Sequence, residues 1–178
     1  GSVGDGADAA AAAVVSVLAP NAEPAGLLAR VTTPDGRIDD AAWIRRCAAI
    51  RDAVHRARTQ SRTGARTVLA ELGGADIATA AGVILGAASR RTPVLVDGPV
   101  GAAAALAARA MAAPARQWVL LPDHCAHPTV VRASEALGYT PLLDLRLGLG
   151  EGAVALAALP LLRCALQLAS LPVWSQSD

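Results

Sequence analysis

The sequence predicts an α/β fold with three layers: a mostly parallel sheet covered by helices on both faces, Rossmann-like. Three observations carry this. Four short apolar runs recur at intervals of 23 to 26 residues, "TVLAEL" (67–72), "PVLVDG" (93–98), "QWVLLPDH" (117–124) and "TPLLDL" (140–145). Alanine-rich stretches long enough for helices lie between them, which is the spacing of βαβ units in a sheet buried on both faces. The chain is 53% hydrophobic but only 2% aromatic, so its core should consist of small side chains packed closely. Its 178 residues suit one domain, 1–178, with a sizeable core.

The elements follow in order. Residues 8–18 read as a helix with Asp8 near its N-terminus, and 21–25 as a loop. Asp39 or Asp40 can cap a longer helix running to about Arg58, and 59–64 form a second loop. The first strand is expected at 67–72 and a helix at 75–90. Pro93 cannot continue that helix and opens the second strand. A helix at 100–113 is closed by Pro114, and the third strand follows. The next helix, 129–137, ends at Gly138, which occupies the position of a C-terminal helix glycine. The fourth strand comes next, and 153–169 looks helical despite Pro160, which should kink or break it.

Charge and cysteine content exclude several classes. All 16 basic residues are arginine and the formal net charge is +1, so no Schiff-base lysine exists and no polyanionic partner is indicated. The arginines between 45 and 66 lack interleaved aromatics, which argues against nucleic-acid stacking. Three cysteines, odd in number and widely spaced, indicate a reducing, cytoplasmic setting rather than a disulfide framework. The apolar stretch 153–162 is short for a bilayer and is interrupted by proline, so no membrane partner is expected. His124 and His127 straddle Cys125 in "PDHCAHP", but no second ligand cluster accompanies them, so neither a metal site nor an organic cofactor is expected.

Ligands of open parallel sheets collect at the C-terminal strand ends. There the sequence places Glu71, Gly73, Gly74 and Asp76; then Asp97 and Gly98; then Asp123 and His124; then Asp144, Gly148, Gly150, Glu151 and Gly152. Acids and glycines thus gather on one edge. The opening "GSVGDGADAAAAA" sets Gly4 and Gly6 before a helix whose free N–H groups could hold phosphate. Glu151 lies between two glycines inside the apolar run "LLDLRLGLGEGAVALAALPLL". A poorly solvated carboxylate there could accept a proton near neutral pH. The same residue could also simply favour the dipole of the helix that follows.

Two segments, "ELGGADIATAAGVILGAASRRTPVLVDGPVGAAAALAA" and "PLLDLRLGLGEGAVALAALPLL", resemble the central and C-terminal signatures of nicotinate-nucleotide–dimethylbenzimidazole phosphoribosyltransferases. "GSVGDGADAAAA" and "RVTTPDGRIDDAAWIRRCAAI" are similar to two further family segments, in the same order. The likeness runs from about Gly1 to Leu168 and corresponds to the C-terminal half of that family. It implies transfer of phosphoribose from nicotinate mononucleotide to dimethylbenzimidazole or a related azole, with Glu151 as the base. Gly4, Gly6, Gly73, Gly74, Asp97, Gly98, His124, Gly150 and Gly152 would line the substrates, with Arg46 near phosphate. It implies a homodimer, or pairing with a chain that supplies the missing half. Ala7, Asp8 and Ala9 replace the family's Asn-Thr-Thr, so an acid stands where phosphate is expected. Arg46 replaces a lysine, with a change of geometry. The alternative is a non-catalytic or partner-dependent relative that keeps the scaffold and binds a nucleotide or cobamide precursor without turnover.

Overall fold

The computed structural model describes residues 6–60, 64–123, 126–148 and 152–171. Helix α1 spans Ala7–Leu18, α2 Asp40–Gln60, α3 Ala65–Val68, α4 Gly74–Ser89, α5 Gly98–Met111, α6 Pro128–Leu137 and α7 Ala153–Ala169. Two short strands, β1 (Val94–Leu95) and β2 (Val119–Leu120), pair in parallel with Val94 opposite Val119 and Leu95 opposite Leu120. The Val96 N–H extends the ladder by donating to the Leu120 carbonyl.

The residues of the fourth apolar run lie on the far side of β2. Leu142 and Leu143 donate to the carbonyls of Leu121 and Pro122, and Asp123 and Leu143 form a parallel bridge. Three extended segments therefore run in one direction, joined by the β1–α5–β2 unit that the spacing predicts. Among the described residues the fold is α/β but mostly helical, with a two-stranded sheet.

Helix α5 forms the centre. Val100 and every residue from Ala102 to Ala108 are buried, and α1, α4 and α6 pack around it. Small residues on all sides make this possible, because backbones can approach closely where side chains are short. Gly101 meets Val96 so closely that an added Cβ would sit 2.8 Å from Val96 Cγ1. The Asp39 carboxylate accepts from the Ala42 N–H and caps α2. Gly138 ends α6 in the left-handed conformation.

The fourth expected strand, 140–145, is reduced to the isolated Asp123–Leu143 bridge, and the first is overturned. Residues 67–72 are helical: α3 passes through a π-turn, Leu69–Gly73, into α4. Buried positions at Val68, Leu69, Gly73, Ile77, Ala81 and Ile84 recur every three to four residues, so the helical period continues through the run and prevails over its local strand-like composition. The continuous stretch Ala65–Ser89 has the length and apolarity of a membrane span. Its inward residues instead belong to the same core as α1 and α5. In α7 the helix continues through Pro160 rather than breaking there.

Candidate functional site

Parallel pairing places the C-terminal ends of β1 and β2 side by side, and a buried carboxylate follows each. Asp97 is 2% exposed and Asp123 is fully buried. Asp97 precedes α5, yet its side chain makes no cap there. Its Oδ2 instead accepts from the Val154 N–H at 3.0 Å, in the first turn of α7. Asp123 Oδ1 accepts from the Leu145 N–H and Oδ2 from the Leu147 N–H, both at 3.1 Å. An acidic acceptor on backbone N–H is among the stronger hydrogen bonds. The two strand tips thus fix the backbone on either side of Leu149, Gly150 and Glu151.

Asp97 also lines a cleft of about 590 Å³ between α4 and β1. Asp76 and Thr79 supply the other polar groups, and Val83, Ile84 and Val96 are among its apolar walls. A volume in the range of about 300 to 1,000 Å³ with few polar groups is what small-molecule sites offer. One carboxylate therefore belongs both to the cleft and to the helix that follows the Gly-Glu-Gly run.

The sequence-derived site residues fall into three groups. Gly98 and Gly152 stand at the starts of α5 and α7 with φ of 76° and 89°. Such left-handed backbone favours glycine. At Gly98 it turns the chain from strand into helix within one residue, and the Asp97 side chain reaches across to α7. Gly6 opens α1 in the same conformation, with φ of 83°, and its carbonyl accepts from the Ala9 and Ala10 N–H groups. Gly73 and Gly74 do not follow a strand. Gly73 is buried against Leu69 and Val14, and Gly74 (φ 70°) joins the π-turn to α4. Their neighbours Ala75 and Asp76, rather than they, line the cleft. Gly4, His124, Gly150 and Glu151 lie outside the described residues.

Arg46 belongs to a second cluster, at the start of α1. Asp8 lies in the first turn of that helix, with His127 Nε2 at 3.8 Å from its Oδ2. His127 Nδ1 accepts from the Thr129 N–H at 3.3 Å and caps α6. That bond engages Nδ1 and leaves Nε2 facing Asp8. The His127 imidazole is the largest influence and holds the Asp8 carboxyl below its ordinary range. Partial burial opposes this, and the Arg46 charge reinforces it. The acid in "GDGADA" is therefore met by two nitrogen-bearing side chains. In the sequence His127 stood out only as a possible metal ligand beside His124. Its position directly before Pro128, a helix-opening residue, was the signal that it caps a helix.

Comparison with known proteins bears on what such an arrangement does. A family model described as "Phosphoribosyltransferase" matches residues 1–171. The chain is 41% identical over 172 residues to the nicotinate-nucleotide–dimethylbenzimidazole phosphoribosyltransferase of Streptomyces avermitilis, covering 96% of this chain and 44% of that protein. It is 42% identical over 178 residues to the enzyme of that name from Mycobacterium avium, covering 99% and 49%. The crystal structure of CobT from Thermus thermophilus superposes with a TM-score of 0.79 at 33% identity, over 92% of this chain and 47% of that one. The chain spans about half the length of the curated relatives it matches.

Proposed function

The chain belongs to the nicotinate-nucleotide–dimethylbenzimidazole phosphoribosyltransferase family, and from that premise we propose that it serves phosphoribosyl transfer in cobamide lower-ligand activation. The donor is nicotinate mononucleotide and the acceptor is dimethylbenzimidazole or a related azole. An azole nitrogen attacks the anomeric carbon, the bond from that carbon to the nicotinate ring nitrogen breaks, and nicotinate leaves. The azole N–H proton passes to Glu151. A carboxylate flanked by apolar residues and glycine is poorly solvated when charged, which favours it as a proton acceptor near neutral pH.

The observation that carries this reading is the double attachment of Asp97. It lines the cleft beside α4 and holds the first turn of α7, so the segment just after Glu151 is anchored to a side chain that also borders a cavity of small-molecule size. Asp123 supports the other flank of the same segment. Asp97 is a positioning residue in this account, and Glu151 is the catalytic one. Gly6 and Arg46 would face the nucleotide phosphate. The three-layer arrangement belongs to the complete architecture, in which further strands would continue the sheet beyond β1, which has one strand neighbour among the described residues. The protein is placed in the cytoplasm on this reading.

The second reading is a relative that binds a nucleotide or cobamide precursor and depends on a partner, possessing little or no turnover alone. Asp8 favours it, since a carboxylate beside Arg46 and the α1 N-terminus already occupies the electrostatic place of an anionic ligand.

Incubation with nicotinate mononucleotide and dimethylbenzimidazole, followed by mass spectrometry for free nicotinate and the new nucleotide, separates the two. The first reading expects turnover that falls by about 10² to 10⁴ in Glu151→Gln, the usual worth of a general base. Turnover untouched by that substitution removes Glu151 from the mechanism. No turnover in the wild type favours the second reading.

A further inference from the structure

We infer that Asp35-Gly36 is a self-modification site: at this hairpin tip the chain turns Asp35 into isoaspartate through a cyclic imide, which loosens the start of α2. The inference goes beyond the functional reading above and does not depend on it.

Asp-Gly occurs three times in the sequence, at 5–6, 35–36 and 97–98; Asp5 lies outside the described residues. A glycine, having no Cβ, leaves its backbone nitrogen open to the side chain that precedes it. The two described copies share this chemistry and differ in their surroundings. At 97–98 the aspartate is 2% exposed and its Oδ2 holds the Val154 N–H, while Gly98 is buried at the start of α5. At 35–36 everything from Pro34 to Ile38 is exposed, and a Cβ added to Gly36 would meet nothing within 4 Å. The Thr33 hydroxyl donates to Asp35 Oδ1, which sets a hydrogen beside an oxygen that has to leave as water.

The Gly36 nitrogen attacks Cγ of the protonated Asp35 carboxyl. An N–Cγ bond forms, the bond from Cγ to the hydroxyl oxygen breaks, and the hydroxyl leaves with the amide hydrogen as water. A five-membered imide remains, which water then opens. Attack at Cγ restores aspartate. Attack at the Asp35 backbone carbonyl breaks the original peptide C–N bond, so that the chain now runs through the side chain. The product has the starting mass, a free α-carboxylate and one extra atom in the backbone path.

That extra atom falls in a tightly closed hairpin. Thr32 and Ile38 form an antiparallel bridge, the Thr33 N–H donates to the Arg37 carbonyl, and the Gly36 N–H donates to the Thr33 carbonyl. Gly36 has φ of 80°, the left-handed residue that ends a three-residue hairpin loop. Beyond the bridge, the Asp39 N–H donates to the Val31 carbonyl, and the Asp39 carboxylate caps α2 on the Ala42 N–H. Arg30 pairs with Asp40 and lies 4.2 Å from the centre of the Trp43 ring. A loop longer by one atom shifts 37–39 against 31–33 and draws the cap away from the first turn of α2.

The test keeps the purified chain at neutral pH, samples it over weeks and digests it. Electron-transfer fragmentation then separates isoaspartyl from aspartyl peptides of equal mass. Isoaspartate is expected at Asp35 at least about tenfold above Asp97, because exposed tips open at little free-energy cost and core segments only with much of the fold. Asp35→Glu, whose imide would need a larger ring, should stay unmodified. Asp35→Asn should convert faster and release ammonia, since its neutral amide needs no protonation before attack. In the modified fraction, separated by chromatography, amide exchange at Ala42 and Trp43 should be faster than in fresh protein while α5 is unchanged. Equal conversion at Asp35 and Asp97 overturns the proposal, as does an unmodified Asp35 in a sample whose Asp35→Asn variant converts. Unchanged exchange at the start of α2 in the modified fraction overturns the loosening. Exchange accelerated as much in Asp35→Glu aged alongside would also overturn it, because other damage would then be the cause.

Discussion

The Oδ2 of Asp97 accepts the Val154 N–H at 3.0 Å, linking the tip of β1 to a helix 57 residues further on. The bond is buried and its acceptor is acidic. Truncating one partner of such a bond leaves a backbone donor without a mate, at a cost of about 1 to 3 kcal/mol. Asp97→Ala is expected to lower unfolding free energy by that amount in urea titrations, with α7 amide exchange accelerating most near Val154. Asp97→Asn keeps an acceptor oxygen and should lose less. Equal losses in the two variants would show that the charge, not the bond, is what matters.

Asp123 makes a sharper demand on geometry, because its two oxygens hold two N–H groups two residues apart. An asparagine there can satisfy one and must turn its own N–H₂ toward the other. Asp123→Asn is therefore expected to perturb the 145–147 backbone almost as much as Asp123→Ala. Asp144, which is exposed and pairs with Arg146, serves as the control: Asp144→Asn should change stability by less than about 0.5 kcal/mol, since exposed pairs are worth little. In an active enzyme, the Asp123 variants should lower kcat more than they raise KM, as befits a residue that positions the base.

How much of this was legible in the sequence depends on the length scale of each signal. The β1–α5–β2 unit was readable because Pro93, Gly98 and Pro114 punctuate it locally. The helix at 67–72 was not, because a six-residue apolar run fits either period; only the recurrence through Ile77, Ala81 and Ile84 identifies it. Asp97 could be placed at a strand tip, but its partner is a backbone N–H that any residue at 154 would carry. The pairing of Asp8 with His127 spans most of the chain and depends on how α1 and α6 pack, which no local pattern records.

Gly101 offers a test of the close packing around α5. An added Cβ would lie 2.8 Å from Val96 Cγ1, and a valine side chain has little freedom to yield. Overpacking of this kind costs about 1 to 3 kcal/mol, while replacing a mid-helix glycine by alanine returns about 1 kcal/mol. Gly101→Ala is expected to be destabilising on balance in thermal unfolding. Adding Val96→Ala to it should recover part of the loss, so the double variant should be more stable than the sum of the two single effects.

Tyr139 is the single tyrosine of the chain, and its hydroxyl donates to the Arg116 carbonyl at 2.8 Å. Burial pushes its pKa up to about 12, with nearby Arg116 and Arg109 opposing. The folded state therefore prefers the neutral phenol. The stability this gives is complete below the ordinary tyrosine pKa near 10 and is lost as pH rises toward 12. Ultraviolet titration of the folded protein should show phenolate appearing about two pH units later than in urea. Tyr139→Phe should remove the signal and flatten that part of the stability profile. Coincident titration in folded and unfolded protein would contradict the assigned burial.

Asp8 gives the most direct reading on the nucleotide site. Its carboxyl is held below the ordinary value, chiefly by His127 and further by Arg46, against the opposing effect of burial. A depressed folded pKa means stability that is present above the unfolded value, near 4, and is lost as pH falls through the folded one. The advantage of wild type over Asp8→Asn should therefore shrink as pH falls below the unfolded value and vanish below the folded one. The ligand effect has the opposite sign. If a phosphate comes to the start of α1, the Asp8 charge repels it, and at a few ångströms near the surface such repulsion is worth about 1 to 4 kcal/mol. Asp8→Asn is expected to bind nicotinate mononucleotide at least about fivefold more tightly by calorimetry, with little change for nicotinate riboside, which lacks the phosphate. Equal gains for both ligands would place the phosphate elsewhere, and Gly6 and Arg46 would then have to be removed from the nucleotide site.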